Sequence, residues 1–258
     1  MSHHIIELED LSYRYPDGTG ALRSVGFRIT HGESVALVGA NGAGKSTLLM
    51  HLNGVLMPQS GRVSIGEVPV TKSTLPVIRR SVGMVFQDAD DQLFMPTVRE
   101  DVAFGPLNLG LPAEEVERRV GEALARVGAQ GLQDRPPHHL SGGEKRNVAI
   151  AAVLAMHPDI LVMDEPSSNL DPLARRRLVE LLKSFEHTKI IATHDLDLVL
   201  DVCGRTIVMS EGMVVADGPT LELFNDEELL SRSHLEKPLR MQACPVCRQA
   251  AGHGGGRP

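Results

Sequence analysis

The chain has 258 residues, of which 42% are hydrophobic and 3% aromatic, and a formal net charge of −7 at pH 7. This composition suffices for one large domain or two small ones with an aliphatic core. The acidic balance argues against a general nucleic-acid binder, which usually carries a basic face. Three cysteines are too few for a disulfide scaffold, and no apolar run approaches the ~18 residues of a membrane span. Because the first residues also lack the apolar stretch of a secretory signal, we expect a cytoplasmic protein that reaches a membrane only through a partner.

Strand and helix patterns alternate along most of the chain. Apolar segments bounded by turn residues predict strands at Ile5–Leu8, Ser24–Ile29, Ser34–Val38, Gly61–Ile65, Val82–Phe86, Ile160–Met163 and Ile190–Thr193. Helical patterns begin at Gly44, Pro112, Ser141, Asp171 and Leu196. A hairpin is predicted across Thr206–Val215. Strands that alternate with helices indicate a mainly parallel α/β sheet.

Two segments depart from this alternation. From Asp88 to about Met156 the pattern is mostly helical, which predicts a helical insertion into the sheet. After Ser233 the chain becomes rich in Gly, Pro and Arg, and we expect a loose tail there.

The segment Gly39–Thr47, GANGAGKST, fits the phosphate-loop pattern G-x-x-x-x-G-K-S. Its glycines let backbone N–H groups face phosphates, Lys45 reaches the outer phosphates, and the hydroxyl of Ser46 can bind Mg²⁺. The alternative is an ordinary glycine-rich turn, but a predicted strand precedes the segment and a predicted helix follows it. We therefore expect a nucleoside triphosphate site here.

The predicted strand Ile160–Met163 ends in two carboxylates, Asp164 and Glu165. Ligands bind at the carboxyl ends of strands in α/β sheets. We therefore expect Asp164 to hold Mg²⁺ through water and Glu165 to polarise the attacking water as a general base. Gln87 and His194 also follow predicted strands, where Gln87 can meet Mg²⁺ and His194 the γ-phosphate. Each signal is weak alone and gains weight beside the phosphate loop.

A second pattern suited to an anion, Ser141-Gly142-Gly143-Glu144, stands at the predicted start of a long helix. Free backbone N–H groups and the helix dipole favour negative charge at such a position. Taken alone, the stretch is best interpreted as a capped helix that follows a flexible turn.

In their order and spacing these motifs resemble the nucleotide-binding subunit of ABC transporters, over about Ile5 to Phe224. The resemblance implies an α/β fold with a P-loop NTPase core, an antiparallel β subdomain and an inserted helical subdomain. Residues 1–232 would form the nucleotide-binding domain, with the helical subdomain at about 88–156, and residues 233–258 a flexible tail. The implied cofactors are ATP and Mg²⁺, and the implied activity is ATP hydrolysis coupled to transport.

The resemblance also assigns roles to the matching residues. Nucleotide binding falls to Tyr15, Gly39, Asn41, Gly42, Gly44, Lys45, Ser46 and Thr47. Tyr15 would stack on adenine, with Tyr13 as the rival for that position. Mg²⁺ binding falls to Ser46, Gln87 and Asp164, and catalysis to Glu165 and His194. In a head-to-tail homodimer, the partner's site would be contacted by the D-loop residue Asp171 and the signature residues Ser141, Gly142, Gly143 and Glu144.

The segment after Gln87 indicates a branch of that family. DADDQLF at Asp88–Phe94, and the stretch Leu93–Pro112, resemble the cobalt and nickel branch of energy-coupling-factor transporters, although Ala89 stands where that branch commonly has proline. The resemblance implies a transmembrane coupling subunit and a substrate-binding membrane subunit as partners at the cytoplasmic face of the cell membrane. Unless they belong to the local core, an apolar patch for the coupling subunit is expected at Leu93, Phe94, Met95 and Val98.

Three alternatives stay open. A vitamin importer of the same class commonly pairs two different ATPase chains. A soluble ABC ATPase that acts on DNA or ribosomes usually carries two fused cassettes or a long coiled-coil insertion, and the acidic charge disfavours nucleic acid. A non-catalytic regulatory ATP binder should lack Glu165 or His194, and both are present.

The expected tail holds Cys244 and Cys247, with His253 nearby. A C-x₂-C pair followed by a histidine can bind a soft or borderline divalent metal, but a complete site needs four ligands. Incidental thiols in a loose tail are the alternative.

Overall fold

A computed structural model describes residues 6–168 and 170–242 as an α/β protein. Its strands are β1 (Ile6–Arg14), β2 (Gly20–Ile29), β3 (Ser34–Val38), β4 (Ser60–Ile65), β5 (Val68–Pro69), β6 (Val82–Val85), β7 (Ile160–Asp164), β8 (Thr188–Ala192), β9 (Arg205–Ser210) and β10 (Met213–Pro219). Its helices are α1 (Lys45–Leu52), α2 (Leu75–Ser81), α3 (Val98–Asn108), α4 (Ala113–Arg126), α5 (Gly142–Leu154), α6 (Pro172–Ser184), α7 (Leu196–Val202), α8 (Thr220–Asn225) and α9 (Glu227–Arg232). The strands and helices predicted from the sequence are present, although several of their ends differ.

The larger sheet gathers the predicted site residues along one edge. Among the described residues its strand order is β10-β9-β3-β8-β7-β6, parallel throughout except that β10 runs antiparallel to β9. Since parallel strands share a direction, the loops that follow β3, β6, β7 and β8 open at the same edge. These loops carry the phosphate loop, Gln87, Glu165 and His194.

Alternate residues of the central strands belong to two apolar clusters on opposite faces of this sheet. On β3, Val35 and Leu37 pack in the cluster that includes α1 and the smaller sheet. Ala36 and Val38 pack in the cluster that includes α3, α4 and α5. Burial on both faces makes such a strand a continuous apolar run, which is the sequence signature of a parallel sheet covered on both sides.

The smaller sheet is antiparallel, with strand order β2-β1-β4-β5. Strand β1 continues to Arg14, well beyond the predicted end at Leu8. Register shifts interrupt its pairing with β2 between Leu8 and Leu11, and Asp10 has a φ of +48°. Bulges of this kind interrupt the alternation of apolar and polar residues by which a strand is recognised. The sequence pattern therefore did not predict the second half of β1.

Helices α3, α4 and α5 occupy the chain between β6 and β7, where the sequence predicts a helical insertion. Helix α4 buries Val116, Val120 and Leu124 on one face, as its periodicity predicts. Capping boxes begin both α3, at Thr97, and α5, at Ser141. No described helix is both long and apolar enough to cross a membrane.

The described part of the expected loose tail, residues 233–242, packs against the domain, and the prediction is wrong for this segment. Leu235 and Met241 contact the apolar cluster that contains α7. The Arg240 guanidinium binds the carboxylates of Asp197 and Asp201 on α7 at 3.2 and 3.0 Å. Composition does not predict this packing, because a few apolar side chains and one arginine are enough to hold a short segment against the domain. Residues 243–258 lie outside the described residues.

Candidate ATPase site

The segment Gly39–Thr47 joins the end of β3 to the first turn of α1. The Lys45 Nζ donates to the carbonyl oxygens of Gly39 and Ala40 at 2.8 and 3.1 Å. Burial lowers the pKa of Lys45, and the charges of Glu165 and Asp164 oppose that shift. The loop therefore encloses a positive group beside two carboxylates, where a phosphate and a cation can be balanced together.

Gly44 permits the turn from this loop into α1, with a φ of +99°. An added Cβ would lie 2.6 Å from the carbonyl oxygen of Ala21. The strained φ alone costs about 1–3 kcal/mol, and the clash adds to it. We expect Gly44→Ala to lower the unfolding temperature and to abolish ATP binding, measured by thermal unfolding and by titration with a fluorescent ATP analogue.

The matched control is Gly121→Ala on the exposed face of α4, where an added Cβ meets nothing within 4 Å. Alanine favours a helix interior over glycine, so this variant should be neutral or slightly stabilising and should bind ATP normally. Unimpaired ATP binding by Gly44→Ala would contradict the assignment of the loop.

Asp164 ends β7 and has features of a cation ligand. Its side chain is 3% exposed, and its Oδ1 atom has no hydrogen-bond partner. Burial raises the pKa of Asp164, while a hydrogen bond from the Ser46 side chain opposes the shift. A buried carboxylate oxygen without a partner is costly unless a cation binds it. The donor set of Asp164 and the Ser46 hydroxyl, both oxygen ligands, fits Mg²⁺.

Glu165 is fixed by the residues that follow β8. Its Oε2 accepts from the Thr193 hydroxyl at 3.1 Å and from the backbone N–H of His194 at 3.3 Å. The His194 Nδ1 also lies 2.8 Å from the same oxygen, although the histidine ring is largely exposed. Glu165 has a φ of +47°, a conformation that non-glycine residues adopt mainly at constrained sites. The structure thus holds a buried carboxylate in one orientation at the strand end.

One cavity of 530 Å³ brings most of the predicted site residues together. Those that line it are Tyr15, Asn41, Gly42, Gly44, Lys45, Ser46, Thr47, Gln87, Asp164, Glu165 and His194. Gly39 does not line the cavity, but it begins the loop at a position where an added Cβ would be 2.3 Å from the Met209 carbonyl oxygen. The cavity is large enough for a nucleotide.

The two candidate aromatic residues have different positions. The Tyr15 hydroxyl lies 3.0 Å from the Thr47 Oγ1, and the ring lines the cavity. Tyr13 instead packs edge-on against His51, with ring centroids 4.8 Å apart, and lines a neighbouring groove. The geometry therefore favours Tyr15 over Tyr13 as the residue that meets a base.

The signature and D-loop residues lie outside this cavity. Ser141 is exposed at the start of α5, where its hydroxyl and backbone N–H donate to Glu144 Oε2, each at 2.8 Å. The backbone hydrogen bond lowers the pKa of Glu144. Asp171 caps α6 by accepting from the backbone N–H groups of Leu173 and Ala174. Neither Ser141 nor Asp171 lines the cavity that holds the phosphate loop of its own chain.

Three residues with contacts at this site were not singled out from the sequence. Thr193 orients Glu165, Arg146 donates to the backbone carbonyls of Phe86 and Gln87, and Gln92 accepts from the Phe86 N–H. Thr193 could have been found from its place directly before His194. Gln92 stands in the segment DADDQLF, but its contacts were not predicted, and Arg146 offered no signal because its backbone partners lie about 60 residues away in sequence.

No group of three or more His, Cys, Asp or Glu side chains among the described residues is arranged to hold a metal ion. Cys244, Cys247 and His253 lie outside those residues. The third cysteine, Cys203, is buried, which raises the pKa of its thiol to about 12.

A phosphate loop between strand β3 and helix α1, with buried carboxylates at the end of β7 in the same sheet, defines a P-loop nucleotide-binding ATPase. The family model described as ABC transporter matches residues 22–168. The chain is 66% identical to a putative ABC transporter ATP-binding protein of Geobacter sulfurreducens, over 96% of this chain and 99% of the relative. It is 52% identical to an energy-coupling factor transporter ATP-binding protein, EcfA, of Methanothermobacter thermautotrophicus, over 91% and 77%. The chain therefore belongs to the ABC transporter family and is the ATP-hydrolysing subunit of a transporter.

Solved structures agree with this fold. The structure is similar to CbiO1 of Clostridium perfringens, described as part of the ABC transporter complex CbiONQ, with a TM-score of 0.79 and 41% identity over 97% of this chain and 99% of that one. It is also similar to a dimeric bacterial ABC transporter cassette, MJ0796, with a TM-score of 0.76 and 30% identity over 83% and 98%. The fold class predicted from the sequence is confirmed.

Proposed function

We propose that this chain is the ATP-hydrolysing motor of an energy-coupling-factor importer for cobalt or nickel ions. It works as a head-to-tail homodimer at the cytoplasmic face of the cell membrane, beside a transmembrane coupling subunit and a substrate-binding membrane subunit. The observation that carries the motor function is the cavity that joins the phosphate loop to Asp164, Glu165 and His194.

In the proposed reaction, the phosphates of ATP lie against the loop Gly39–Thr47 and the Lys45 ammonium group. Ser46, Gln87 and Asp164 would hold Mg²⁺, which when bound would neutralise charge on the outer phosphates. Glu165 receives a proton from the attacking water while the water oxygen bonds to the γ-phosphorus and the bridging oxygen leaves with ADP. Because Thr193 and His194 hold Oε2 of Glu165, its Oε1 is available for that water.

The dimer supplies what a single chain lacks. Ser141 and Gly142 at the start of α5 are exposed, and neither lines the cavity that holds the chain's own phosphate loop. In a two-fold head-to-tail pair, the same helix start reaches the γ-phosphate held by the partner. ADP lacks that phosphate, so hydrolysis weakens the contact and opens the dimer.

The membrane partner is proposed to dock on an apolar patch formed by Phe94, Phe104 and Leu107, which are 64%, 42% and 57% exposed. The rings of Phe94 and Phe104 meet edge to face, with centroids 4.9 Å apart. Leu93 and Val98, which the sequence placed in this patch, are buried in the core instead. The predicted patch is thus divided: Phe94 precedes α3 and is exposed, whereas Val98 begins α3 and is fully buried.

The choice of cargo is supported by the resemblance of Asp88–Pro112 to the cobalt and nickel branch and by the similarity to CbiO1. A vitamin importer is the second candidate, because relatives named EcfA are energy-coupling factor ATPases without a stated cargo. Cargo does not contact an ATPase subunit of this kind, so the site geometry favours neither ion nor vitamin.

Transport measurements separate these candidates. Vesicles carrying the chain with its co-purified membrane partners are loaded with ATP and given labelled Ni²⁺, Co²⁺ or a vitamin panel. We expect uptake of one metal ion, and none when Glu165→Gln replaces the parent chain. Vitamin uptake would favour the second candidate, and intact ATP hydrolysis without partners or uptake would favour a soluble ABC ATPase.

A further inference from the structure

Arg146 joins the signature helix to the strand end that carries Gln87. Its side chain belongs to a residue that is only 5% exposed, on the second turn of α5. The guanidinium donates to the carbonyl oxygen of Phe86 at 2.6 Å and to that of Gln87. A buried guanidinium needs several hydrogen bonds to offset its loss of water, and here it obtains them from the backbone just before and at Gln87.

Gln92 makes a second link between the same two elements. Its Oε1 accepts from the Phe86 N–H at 3.3 Å, and its Nε2 donates to the Ala149 carbonyl oxygen at 2.9 Å. Ala149 lies three residues after Arg146, so both links leave the same face of α5. A weaker third link is the ion pair between Lys145 and Asp90, which is largely exposed on the aspartate side.

These hydrogen bonds give a structural role to the segment DADDQLF, whose side chains take no part in the proposed hydrolysis reaction. Asp88 caps the short turn by accepting from the Asp90 N–H, and this turn places Gln92 between strand β6 and α5. The segment, the Gln87 backbone and α5 are thus joined at two partly buried points about one helical turn apart. Because α5 is one continuous helix from Gly142 to Leu154, we expect a displacement of its start to be transmitted to the Gln87 backbone through these hydrogen bonds.

We propose that Arg146 and Gln92 are positioning residues that couple contact between Ser141 and the partner's nucleotide to the placement of Gln87 in the chain's own site. The inference deepens the proposed function and depends on its dimer. Contact of Ser141 with one nucleotide would then affect, through α5, the placement of Gln87 at the other nucleotide. The two sites of the dimer would therefore become complete together.

Two variants remove the links while preserving side-chain volume. Gln92→Met is nearly isosteric and loses both hydrogen bonds, and Arg146→Lys keeps the charge but loses the forked donation. A misplacement on the scale of 1 Å costs about 100-fold in rate, so we expect kcat for ATP to fall by about 10- to 100-fold. ATP affinity of the monomer, measured without Mg²⁺, should stay unchanged. Arg176→Lys on the exposed face of α6 is the matched control and should retain full kcat.

A double-mutant cycle with Gln87→Ala tests whether the two residues act through Gln87. Coupled residues give non-additive effects, so Arg146→Lys or Gln92→Met should cost little more once Gln87 is already alanine. Independent costs that multiply in the double variants would overturn the proposal. Variants that unfold at a lower temperature yet keep the parent kcat would also overturn it, since that is the result of a purely structural role.

A readout without turnover uses the Glu165→Gln background. We expect Gln92→Met to reduce the fraction of ATP-trapped dimer on size-exclusion chromatography, and Arg176→Lys to leave it unchanged. An unchanged fraction for Gln92→Met would count against the coupling alone. A failure of Glu165→Gln itself to dimerise with ATP would instead count against the proposed dimer, so the two failures can be told apart.

Discussion

Glu165→Gln is expected to keep ATP binding, to abolish turnover and to trap an ATP-bound dimer. General-base catalysis contributes about 10²–10⁴-fold in rate, so kcat should fall by at least that order. The amide retains an oxygen that can accept from the Thr193 hydroxyl, so the fold of the site should persist. Steady-state hydrolysis measures the loss, and size-exclusion chromatography with ATP and with ADP measures the trapped dimer.

The control for this substitution is Glu180→Gln, an exposed residue on α6. The same loss of one negative charge at that position should leave hydrolysis and oligomeric state unchanged. Unaltered steady-state hydrolysis in Glu165→Gln would refute the assignment of Glu165 as the general base. Dimer formation with ADP alone would show that the dimer of this variant does not depend on the γ-phosphate.

Ser141→Arg is expected to block hydrolysis without weakening the binding of ATP to the monomer. Ser141 is exposed and lies outside the cavity of its own chain, so the bulky cation would obstruct only the contact with a partner. The variant also removes the capping box of α5, at a cost of about 0.5–2 kcal/mol. Thr97→Arg removes the corresponding capping box of α3 and should lose similar stability while it keeps hydrolysis.

Complementation tests the action of Ser141 across the dimer. Ser141→Arg chains retain Glu165, and Glu165→Gln chains retain Ser141, so a mixed dimer contains one intact composite site. Mixing the two inactive proteins before ATP is added should therefore restore part of the hydrolysis. No recovery on mixing, or a loss of monomer affinity in Ser141→Arg, would contradict the head-to-tail arrangement.

The phosphate loop and the strand ends could be predicted because their chemistry is local in the chain. Each of these two motifs requires a particular backbone conformation and is therefore recognisable in the sequence. They are the segment Gly39–Thr47 between a strand and a helix, and the apolar run that ends at Asp164 and Glu165. The face of α4 was equally readable, since its apolar residues recur with the helical period.

Other features depended on contacts between distant segments. The choice between Tyr15 and Tyr13, the exposure of Phe94 beside the buried Val98, and the packing of residues 233–242 each follow from what the fold places opposite them. A bulge in β1 and a three-residue turn after Gln87 change the direction of side chains without changing composition.

The sequence by itself determined the class of the fold and the chemistry at the nucleotide, because phosphate and cation ligands follow directly from residue type and from strand or helix ends. Only the tertiary structure decided which side chains hold those ligands in place. Thr193 against Glu165, Arg146 against the Phe86 carbonyl oxygen, and Gln92 against the Ala149 carbonyl oxygen are contacts across long sequence separations. The partner atoms are a carboxylate oxygen or main-chain atoms that come close only when the chain folds. A local sequence pattern therefore cannot predict these contacts.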